Sequence, residues 1–177
     1  GPAVVKRALG IDITKEDLGG PNVHLKSGAV DNLAEDEDDA LNQIKIFLSY
    51  LPNNYLELPP KKETKDKRNR IENELLTIIP KERRKTYDVR KLLSLILDLN
   101  SFFEYGKYYG SSLITGLATL DGQSVAILAN DCRIYAGAMT ASASIKLRRF
   151  IDFVNTFNIP VLSFIDEPGF MIGPDSE

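Results

Sequence analysis

Two runs of β-forming residues flank the pair Asp121-Gly122, and this pattern constrains the fold more than any other stretch of the chain. The stretch reads SSLITGLATLDGQSVAILAND, over residues 111–131. An Asp-Gly pair tolerates the positive φ angles of a two-residue turn whose twist suits antiparallel strands. The sequence therefore predicts a tight hairpin that turns at these two residues.

A helix and a strand follow the hairpin. The run TASASIKLRRFIDFVNTFN, over residues 140–158, has apolar residues at helical spacing. The predicted core stripe is Ala143, Leu147, Phe150, Ile151, Val154 and Phe157. We expect Lys146, Arg148, Arg149 and Asp152 to lie largely outside it. The next run, IPVLSFID, is nearly all apolar and predicts a parallel strand buried on both faces.

Shorter elements precede the hairpin. Residues 86–98 predict a compact helix, and SFFEY, over residues 101–105, predicts a strand. Thr14 is expected to cap a brief helix that ends at Gly19-Gly20. An acidic cluster at residues 35–39 leads into an apolar-faced helix that we expect Pro52 to terminate. The cluster favours a helix N-terminus, where carboxylates complement the dipole, over a metal site.

Residues 53–70 differ in composition from the sequence on either side. Just after Pro52, they contain Pro59 and Pro60 and then a mostly basic run from Lys61 to Arg70. This composition predicts a linker between structural units. The basic side chains favour a solvated face, and a phosphate contact is the alternative.

Residue counts exclude several kinds of site. Cys132 is the only cysteine and His24 the only histidine, which excludes an internal disulfide, a cysteine-rich zinc site and a multi-histidine metal site. A net charge of −3 gives no indication of nucleic acid or an anionic membrane as partner. No apolar stretch approaches the ~20 residues of a membrane span. We expect no metal in this chain and chemistry that does not depend on side-chain nucleophiles.

Several motifs resemble one family. FNIPVLSFIDEPGFMIG, over residues 157–173, is similar to the second half-domain of the carboxyltransferase (beta) subunit of biotin-dependent acyl-CoA carboxylases. There, an apolar strand ends in Asp-x-Pro-Gly-Phe, followed two residues later by glycine. The hairpin, the helix after it and the stretch around Leu18-Gly19-Gly20 resemble the same family in the same order. Glu167 and Thr140 depart from its usual residues, which leaves the acyl specificity open.

The resemblance implies an α/β, crotonase-like (ClpP/crotonase) fold, a ββα superhelix that we expect to be incomplete here. It assigns 1–52 to the tail of the N-terminal half-domain, 53–85 to a crossover linker and 86–177 to the first part of the C-terminal half-domain. It also implies partners: an acyl-CoA, carboxybiotin on a carrier domain, a biotin carboxylase subunit and further copies of the chain. The expected compartment is cytoplasmic, with the mitochondrial matrix as the alternative.

The reaction implied by the resemblance moves a carboxyl group from carboxybiotin to the α-carbon of an acyl-CoA. Backbone amides stabilise the thioester enolate and the biotin anion in an oxyanion-hole arrangement. We expect the backbone of Gly169, Phe170 and Met171 to form part of one such hole and of an apolar pocket wall. A companion amide is expected from a glycine turn beyond residue 177, so we expect the isolated chain to be inactive. Pro-Gly-Phe as a plain strand-to-helix turn is the alternative.

Other residues receive lesser roles. Gly137 and Ala138 are expected at the pocket mouth, and Gly173 at a helix start that favours anions. Lys146 is a candidate CoA or carboxylate ligand, although a solvated side chain is favoured on the polar face. Asp166 and Glu167 are expected not to share a site, because adjacent strand residues point to opposite faces. A buried hydrogen-bonding or turn-capping role is favoured for Asp166.

Two other functions stay open. One is the carboxyltransferase part of a biotin-dependent acyl-CoA decarboxylase. The other is a non-catalytic module that keeps the fold for oligomerisation. The sequence that follows residue 177 and the neighbouring subunits would separate them.

Overall fold

The computed structural model describes residues 1–64, 66–82 and 84–173. Within these ranges the helices are α1 (Pro2–Leu9), α2 (Lys15–Gly19), α3 (Pro21–Ser27), α4 (Glu37–Leu48), α5 (Val89–Ile96) and α6 (Ala141–Thr156). The strands are β1 (Phe103–Tyr105), β2 (Leu113–Leu120), β3 (Gln123–Asn130) and β4 (Val161–Phe164). Short 3-10 turns occupy Asn73–Leu76 and Tyr135–Gly137. The helix start expected at residues 173–177 lies mostly outside the described residues.

The predicted hairpin is confirmed. Strands β2 and β3 pair antiparallel from Leu113 opposite Asn130 to Leu120 opposite Gln123. Asp121 and Gly122 have φ angles of 50° and 75°, as a two-residue turn of this hand requires. The Asp98 carboxylate accepts hydrogen bonds from both turn amides, at 3.0 Å from Asp121 N and 2.8 Å from Gly122 N. The turn is therefore stabilised from outside as well as by its own geometry.

The sheet has the order β1-β2-β3-β4, with β1 antiparallel to β2 and β4 parallel to β3. Both faces of the hairpin are buried. On one face, Val89 and Leu93 of α5 and Leu97, which follows it, contribute to the core. On the other, α6 contributes Phe150 and Val154. The hairpin is thus the middle layer between two helical layers.

The prediction that β4 is buried on both faces is wrong for the described residues, although its parallel pairing is confirmed. Its residues alternate between exposed and half-buried, and Val161 retains 40% of its accessible surface. The reason is position: among the described residues β4 pairs only with β3, so it forms the sheet edge. An apolar run in the sequence does not show whether a strand lies at the edge or in the centre of its sheet.

Helix α6 begins where Thr140 accepts a hydrogen bond from Ala143 N, as a capping residue does. Ala143, Phe150 and Val154 of the predicted stripe are buried. Lys146, expected outside the stripe, is buried instead and retains 5% of its accessible surface. The cause is its spacing, because it lies three residues after Ala143 and four before Phe150.

Helix α2 begins at the predicted cap Thr14, and α4 begins within the predicted acidic cluster. Thr14 accepts from Asp17 N, and Asp36 accepts from Asp39 N at 2.8 Å. The acidic cluster is therefore a helix start. Helix α4 ends at Leu48, four residues before Pro52, and much of its apolar face remains exposed, with Ile44 at 53%.

The basic run pairs with carboxylates of the same chain. Arg68 and Lys61 contact the Asp121 carboxylate at the hairpin turn, at 2.5 Å and 3.4 Å. Arg70 contacts Asp66 and donates to the Leu95 and Leu97 carbonyls beside α5. Lys61, Lys67 and Arg68 are exposed, as the favoured solvated face requires, while Arg70 is half-buried and connects the segment to α5. Among the residues described, no helix is long and apolar enough to cross a bilayer.

Candidate functional site

The turn after β4 has unusual backbone geometry. Gly169 and Gly173 have φ angles of 125° and 143°, a region that L-residues rarely adopt. A Cβ atom at either position would meet nothing within 4 Å. Glycine is thus favoured there by conformation and not by lack of space. Phe170 and Ile172 between them retain 77% and 92% of their accessible surface.

A short parallel bridge joins this turn to the loop before α6. Met139 N donates to Gly169 O at 3.0 Å, and Met171 N donates to Met139 O at 2.9 Å. The Met171 amide, one of three expected at an oxyanion hole, is therefore engaged within the protein. The amides of Gly169 and Phe170 donate to no partner among residues 1–64, 66–82 and 84–173. Within the described residues, the fold therefore uses the Met171 amide of the turn and not these two.

The loop before α6 is held in a strained conformation. Tyr135, Ala136 and Gly137 have φ angles of 52°, 53° and 81°, and two of the three are not glycine. A Cβ at residue 137 would lie 2.4 Å from the Asp166 carbonyl oxygen, so the two loops touch there. Gly137 and Ala138 are buried at this contact. They pack where the two loops meet, and neither lines the cavity that lies beside the turn.

A cavity of about 640 Å³ lies beside the turn. Its lining combines one lysine, several hydroxyl side chains and the apolar end of the turn: Lys26, Tyr108, Tyr109, Gly110, Ser111, Ser112, Tyr135, Thr140, Ser142, Met171, Ile172 and Gly173. None of these residues is acidic, and the first turn of α6 adds its positive dipole end. The lining therefore combines groups that suit a polar or anionic ligand with groups that suit an apolar one.

Lys146 does not line this cavity. Its Nζ donates to the Leu113 carbonyl at 2.6 Å, inside the protein. Burial lowers the pKa of Lys146 to about 8, against the opposite effect of the nearby Glu104 carboxylate. The structure thus brings the Gly169–Gly173 turn together with Gly137 and Ala138, and places Lys146 beneath β2.

An ion-pair network lies on the other side of Tyr108. Arg90 contacts Glu104 at 2.5 Å and Asp131 at 2.6 Å, and Arg133 also contacts Asp131. Burial raises the pKa of the Asp131 carboxyl, but hydrogen bonds from Arg133 and Arg90 outweigh it and hold that pKa below its usual range. Sequence reasoning missed the network because its members lie far apart along the chain and form no motif.

Asp166 and Glu167 have separate partners, as expected. Tyr87 donates to Asp166 Oδ2 at 2.8 Å, and Asn130 donates to Glu167 Oε2 at 3.0 Å. Burial, followed by the hydrogen bond to Asp166, raises the pKa of Tyr87 well above its ordinary value. The hydrogen-bonding role expected for Asp166 is confirmed, but its side chain is exposed, because the strand ends at Phe164.

Metal-ligating residues do not gather within the described ranges: no three His, Cys, Asp or Glu side chains there could hold an ion. His24 is exposed on α3, and Cys132 is half-buried beside the backbone of Tyr87.

Comparison with protein families identifies the family of this chain. The model described as the carboxyl transferase domain matches residues 1–177. This chain belongs to the carboxyl transferase domain family. The resemblance drawn from the motifs is thereby confirmed.

Curated relatives of this carboxyl transferase chain include carboxylase and decarboxylase subunits. The carboxyltransferase subunit of propionyl-CoA carboxylase from Haloferax mediterranei is 43% identical over 178 residues, covering all of this chain and 34% of that subunit. Methylmalonyl-CoA decarboxylase subunit alpha from Veillonella parvula is 39% identical, with 35% of it covered. The human mitochondrial propionyl-CoA carboxylase beta chain is 35% identical, with 33% covered. The chain thus spans about a third of the length of these relatives.

Solved structures define the fold. Transcarboxylase 12S, described as a hexamer with methylmalonyl-CoA bound, matches 99% of this chain and 34% of its own, with a TM-score of 0.94 and 35% identity. A single-chain, multi-domain long-chain acyl-CoA carboxylase matches with a TM-score of 0.81 and 28% identity, over 99% of this chain and 17% of its own. The fold is α/β and crotonase-like, as expected from the motifs.

Proposed function

We propose that this chain is part of an acyl-CoA carboxyltransferase that moves a carboxyl group between a biotin carrier and the α-carbon of an acyl-CoA. The observation that carries the proposal is the family match over residues 1–177, together with two amides at a glycine turn that donate to none of the described residues. Relatives named for propionyl-CoA and methylmalonyl-CoA support an acyl-CoA of short chain length as substrate.

The proposed role of the turn is to stabilise negative charge without a charged side chain. An acyl thioester that loses or gains a carboxyl group develops charge on its carbonyl oxygen, and the same applies to a ureido carbonyl. Backbone N–H groups held in place before the reaction stabilise such oxygens. Gly169 N and Phe170 N are in this position, because the bridge between Met139 and Phe170 fixes the turn that carries them.

The apolar side chains of the turn would exclude water from that oxygen. Phe170 and Ile172 are exposed, and Met171 is half-buried against the cavity. A hydrogen bond in a dry, weakly polarisable site is stronger than the same bond in water. We therefore propose that the backbone of the turn stabilises the negative charge and that its side chains exclude water. Gly137 and Ala138 pack against the turn and hold it in place.

The residues at the turn fit a biotin ring. Biotin has a ureido carbonyl that accepts hydrogen bonds and a ring system that packs on apolar groups. The Gly169 and Phe170 amides, which have no partner among the described residues, and the apolar Met171 and Ile172 at the adjacent cavity support this match. Biotin, when bound, supplies the carboxyl group. In the proposal Gly169 N and Phe170 N donate to the ureido oxygen, and Lys146 takes no direct part because its ammonium faces Leu113 O.

Decarboxylation is the second candidate function. The Veillonella parvula relative is named as a decarboxylase subunit and is nearly as similar as the first carboxylase subunit. Both reactions transfer the same carboxyl group between the same two kinds of molecule, in opposite directions. The turn would therefore serve either one.

The wider assignments are part of the same proposal. They include a biotin carboxylase subunit and a biotin carrier as partners, and assembly of several copies, as in the hexamer named for transcarboxylase 12S. Half-domain boundaries at 52/53 and 85/86 are also proposed. The compartment is proposed as cytoplasmic, or mitochondrial as in the name of the human relative.

An activity assay tests this proposal. The protein, expressed at the length its gene encodes, is combined with biotin carboxylase, biotin carrier, ATP and ¹⁴C-bicarbonate, and with acetyl-, propionyl- or longer acyl-CoA. We expect label to enter an acyl-CoA, fastest for a short acyl chain. Release of carbon dioxide from methylmalonyl-CoA through the carrier, without labelling in the forward direction, would favour the decarboxylase. Neither reaction with any acyl-CoA would contradict the proposal.

A further inference from the structure

Asn130 links the two loops of the candidate site. It is the last residue of β3 and retains only 6% of its accessible surface. Its Nδ2 donates to Gly137 O at 3.1 Å and to Glu167 Oε2 at 3.0 Å, and its Oδ1 accepts from Asp166 N at 3.2 Å. One buried amide side chain therefore connects the end of a core strand to both loops.

The two loops depend on each other for their spacing. Beyond Asn130 they meet again at the bridge between Met139 and Phe170. Between these two points they are in close contact, because a Cβ at Gly137 would lie 2.4 Å from Asp166 O and 3.2 Å from Asn130 Cβ. A displacement where Asn130 holds the loops would therefore be passed on to Gly169 and Phe170.

The Gly137 carbonyl needs a fixed donor. Residues 135–137 form three consecutive left-handed positions, a backbone that unsupported L-residues leave readily. Gly137 N donates to Ile134 O and Ala138 N donates to Tyr135 O, both within the loop itself. The hydrogen bond from Asn130 connects this strained loop to the sheet.

We infer that Asn130 is a positioning residue for carboxyl transfer: it sets the spacing of the 134–139 and 166–171 loops and so aims the amides of Gly169 and Phe170. The expected effect of Asn130 on kcat rests on the proposed function. Its expected effect on the spacing of the loops rests on the hydrogen bonds alone. Asn130 itself touches no reacting group.

An amide is required at residue 130 because of its mixed hydrogen bonding. An aspartate there keeps the acceptor for Asp166 N but loses both donors. It also places a carboxylate against Glu167 Oε2, where the two like charges repel. Changing Glu167 to Gln alongside restores one donor-acceptor pair with reversed direction, since the Gln amide nitrogen can donate to the new aspartate.

The experiment compares four variants of the protein at the length its gene encodes. They are Asn130→Asp, the double variant Asn130→Asp with Glu167→Gln, Glu167→Ala, and Asn158→Asp as a matched control. Asn158 also donates its side-chain amide to a backbone carbonyl, that of Tyr55 at 2.9 Å, but it lies beyond the far end of α6. Carboxyl-transfer kcat and KM are measured together with backbone hydrogen exchange.

We expect Asn130→Asp to lower kcat about 100-fold with little change in KM, as displacement of a catalytic group by about 1 Å does. Exchange should become faster in residues 134–139 and 166–171. The double variant should recover about tenfold of the lost kcat, because the like-charge contact is gone. Glu167→Ala should speed exchange only in 166–171, and Asn158→Asp should change neither loop nor kcat.

Three results would overturn the inference. These are unchanged exchange in both loops of Asn130→Asp, a loss of kcat no larger than in Asn158→Asp, or a double variant as slow as the single one. If Asn130→Asp does not fold, Glu167→Ala decides, because its side chain is exposed and its loss leaves the core intact. Unchanged exchange in residues 166–171 of that variant would then overturn the inference, because the hydrogen bond from Asn130 to Glu167 would not position that loop. A wild-type protein without carboxyl transfer would refute the proposed function, and the exchange measurements would still test Asn130.

Discussion

The hairpin and the turn after β4 are both organised by glycines at positive φ, yet they differ in every other respect. The hairpin is buried on both faces, and its turn is hydrogen-bonded by Asp98. The Gly169–Gly173 turn exposes its apolar side chains and leaves two amides without a described partner. The first region stabilises the fold, and the second is the region that we propose presents groups to a ligand. Exposed apolar side chains such as those of this turn are typical of a binding site and not of a core.

The largest expected difference concerns two phenylalanines. Phe150 is fully buried and Phe170 retains 77% of its accessible surface. We expect Phe150→Ala to lower the free energy of unfolding by about 3–5 kcal/mol, because it removes packed atoms and leaves a cavity. Phe170→Ala should change it by less than about 0.5 kcal/mol. Urea unfolding of both variants measures this, and equal losses would remove the distinction between the regions.

Gly122 of the hairpin and Gly169 of the turn after β4 should differ in how much their substitution lowers stability. At Gly122 a Cβ would lie 2.0 Å from the Lys62 carbonyl oxygen, whereas at Gly169 it would meet nothing within 4 Å. We expect Gly122→Ala to cost about 3 kcal/mol through strain and overlap together, and Gly169→Ala about 1–2 kcal/mol through strain alone. Thermal unfolding of the two variants is the measurement. A larger cost at Gly169 would contradict the geometry of both turns.

Lys146, which is buried beside the hairpin, should make the stability of the protein depend on pH. Its pKa is lowered to about 8 in the folded protein from 10.5. The unfolded chain therefore binds more protons above pH 8, so stability should rise with pH from about 8 to 10. We expect a rise on the order of 2 kcal/mol in the wild type relative to Lys146→Met, which lacks the titrating group. Parallel stability curves for the two proteins would show that Lys146 is solvated.

The smallest effect is expected at the exposed ion pair between Arg68 and Asp121. The guanidinium is solvent-exposed, so side-chain entropy and solvent screening offset the attraction. Arg68→Gln should leave the free energy of unfolding unchanged within experimental error at moderate salt. A clear loss would mean that the segment carrying Arg68 supports the hairpin more strongly than its exposure suggests.

Sequence patterns predicted the regular elements because their signals are local. Asp121-Gly122 fixes a turn by its own φ angles, and Thr140 and Asp36 fix helix starts by capping the amides that follow them. The motif around Pro168-Gly169-Phe170 identified the family. These features depend on neighbours within a few residues, which a sequence displays directly.

Other features depend on contacts between distant residues. The burial of Lys146 follows from its place on the apolar stripe of α6 and from the Leu113 carbonyl, which accepts a hydrogen bond from its ammonium group. Its charge alone predicted exposure to solvent. The edge position of β4 follows from strand order, and the engagement of the Met171 amide follows from a bridge to Met139. Asn130 appears in the sequence only as the end of a strand.

One measurement tests the central claim that a backbone amide at the exposed turn carries the chemistry. Phe170→Pro removes the amide hydrogen, and Phe170→Leu keeps both the amide and an apolar side chain. Neither change removes a hydrogen bond among the described residues, since Phe170 N donates to none of them. In the protein at the length its gene encodes, we expect Phe170→Pro to lower kcat for carboxyl transfer about 100-fold relative to Phe170→Leu, with the two variants equally stable. Equal kcat values for the proline and leucine variants would contradict the account.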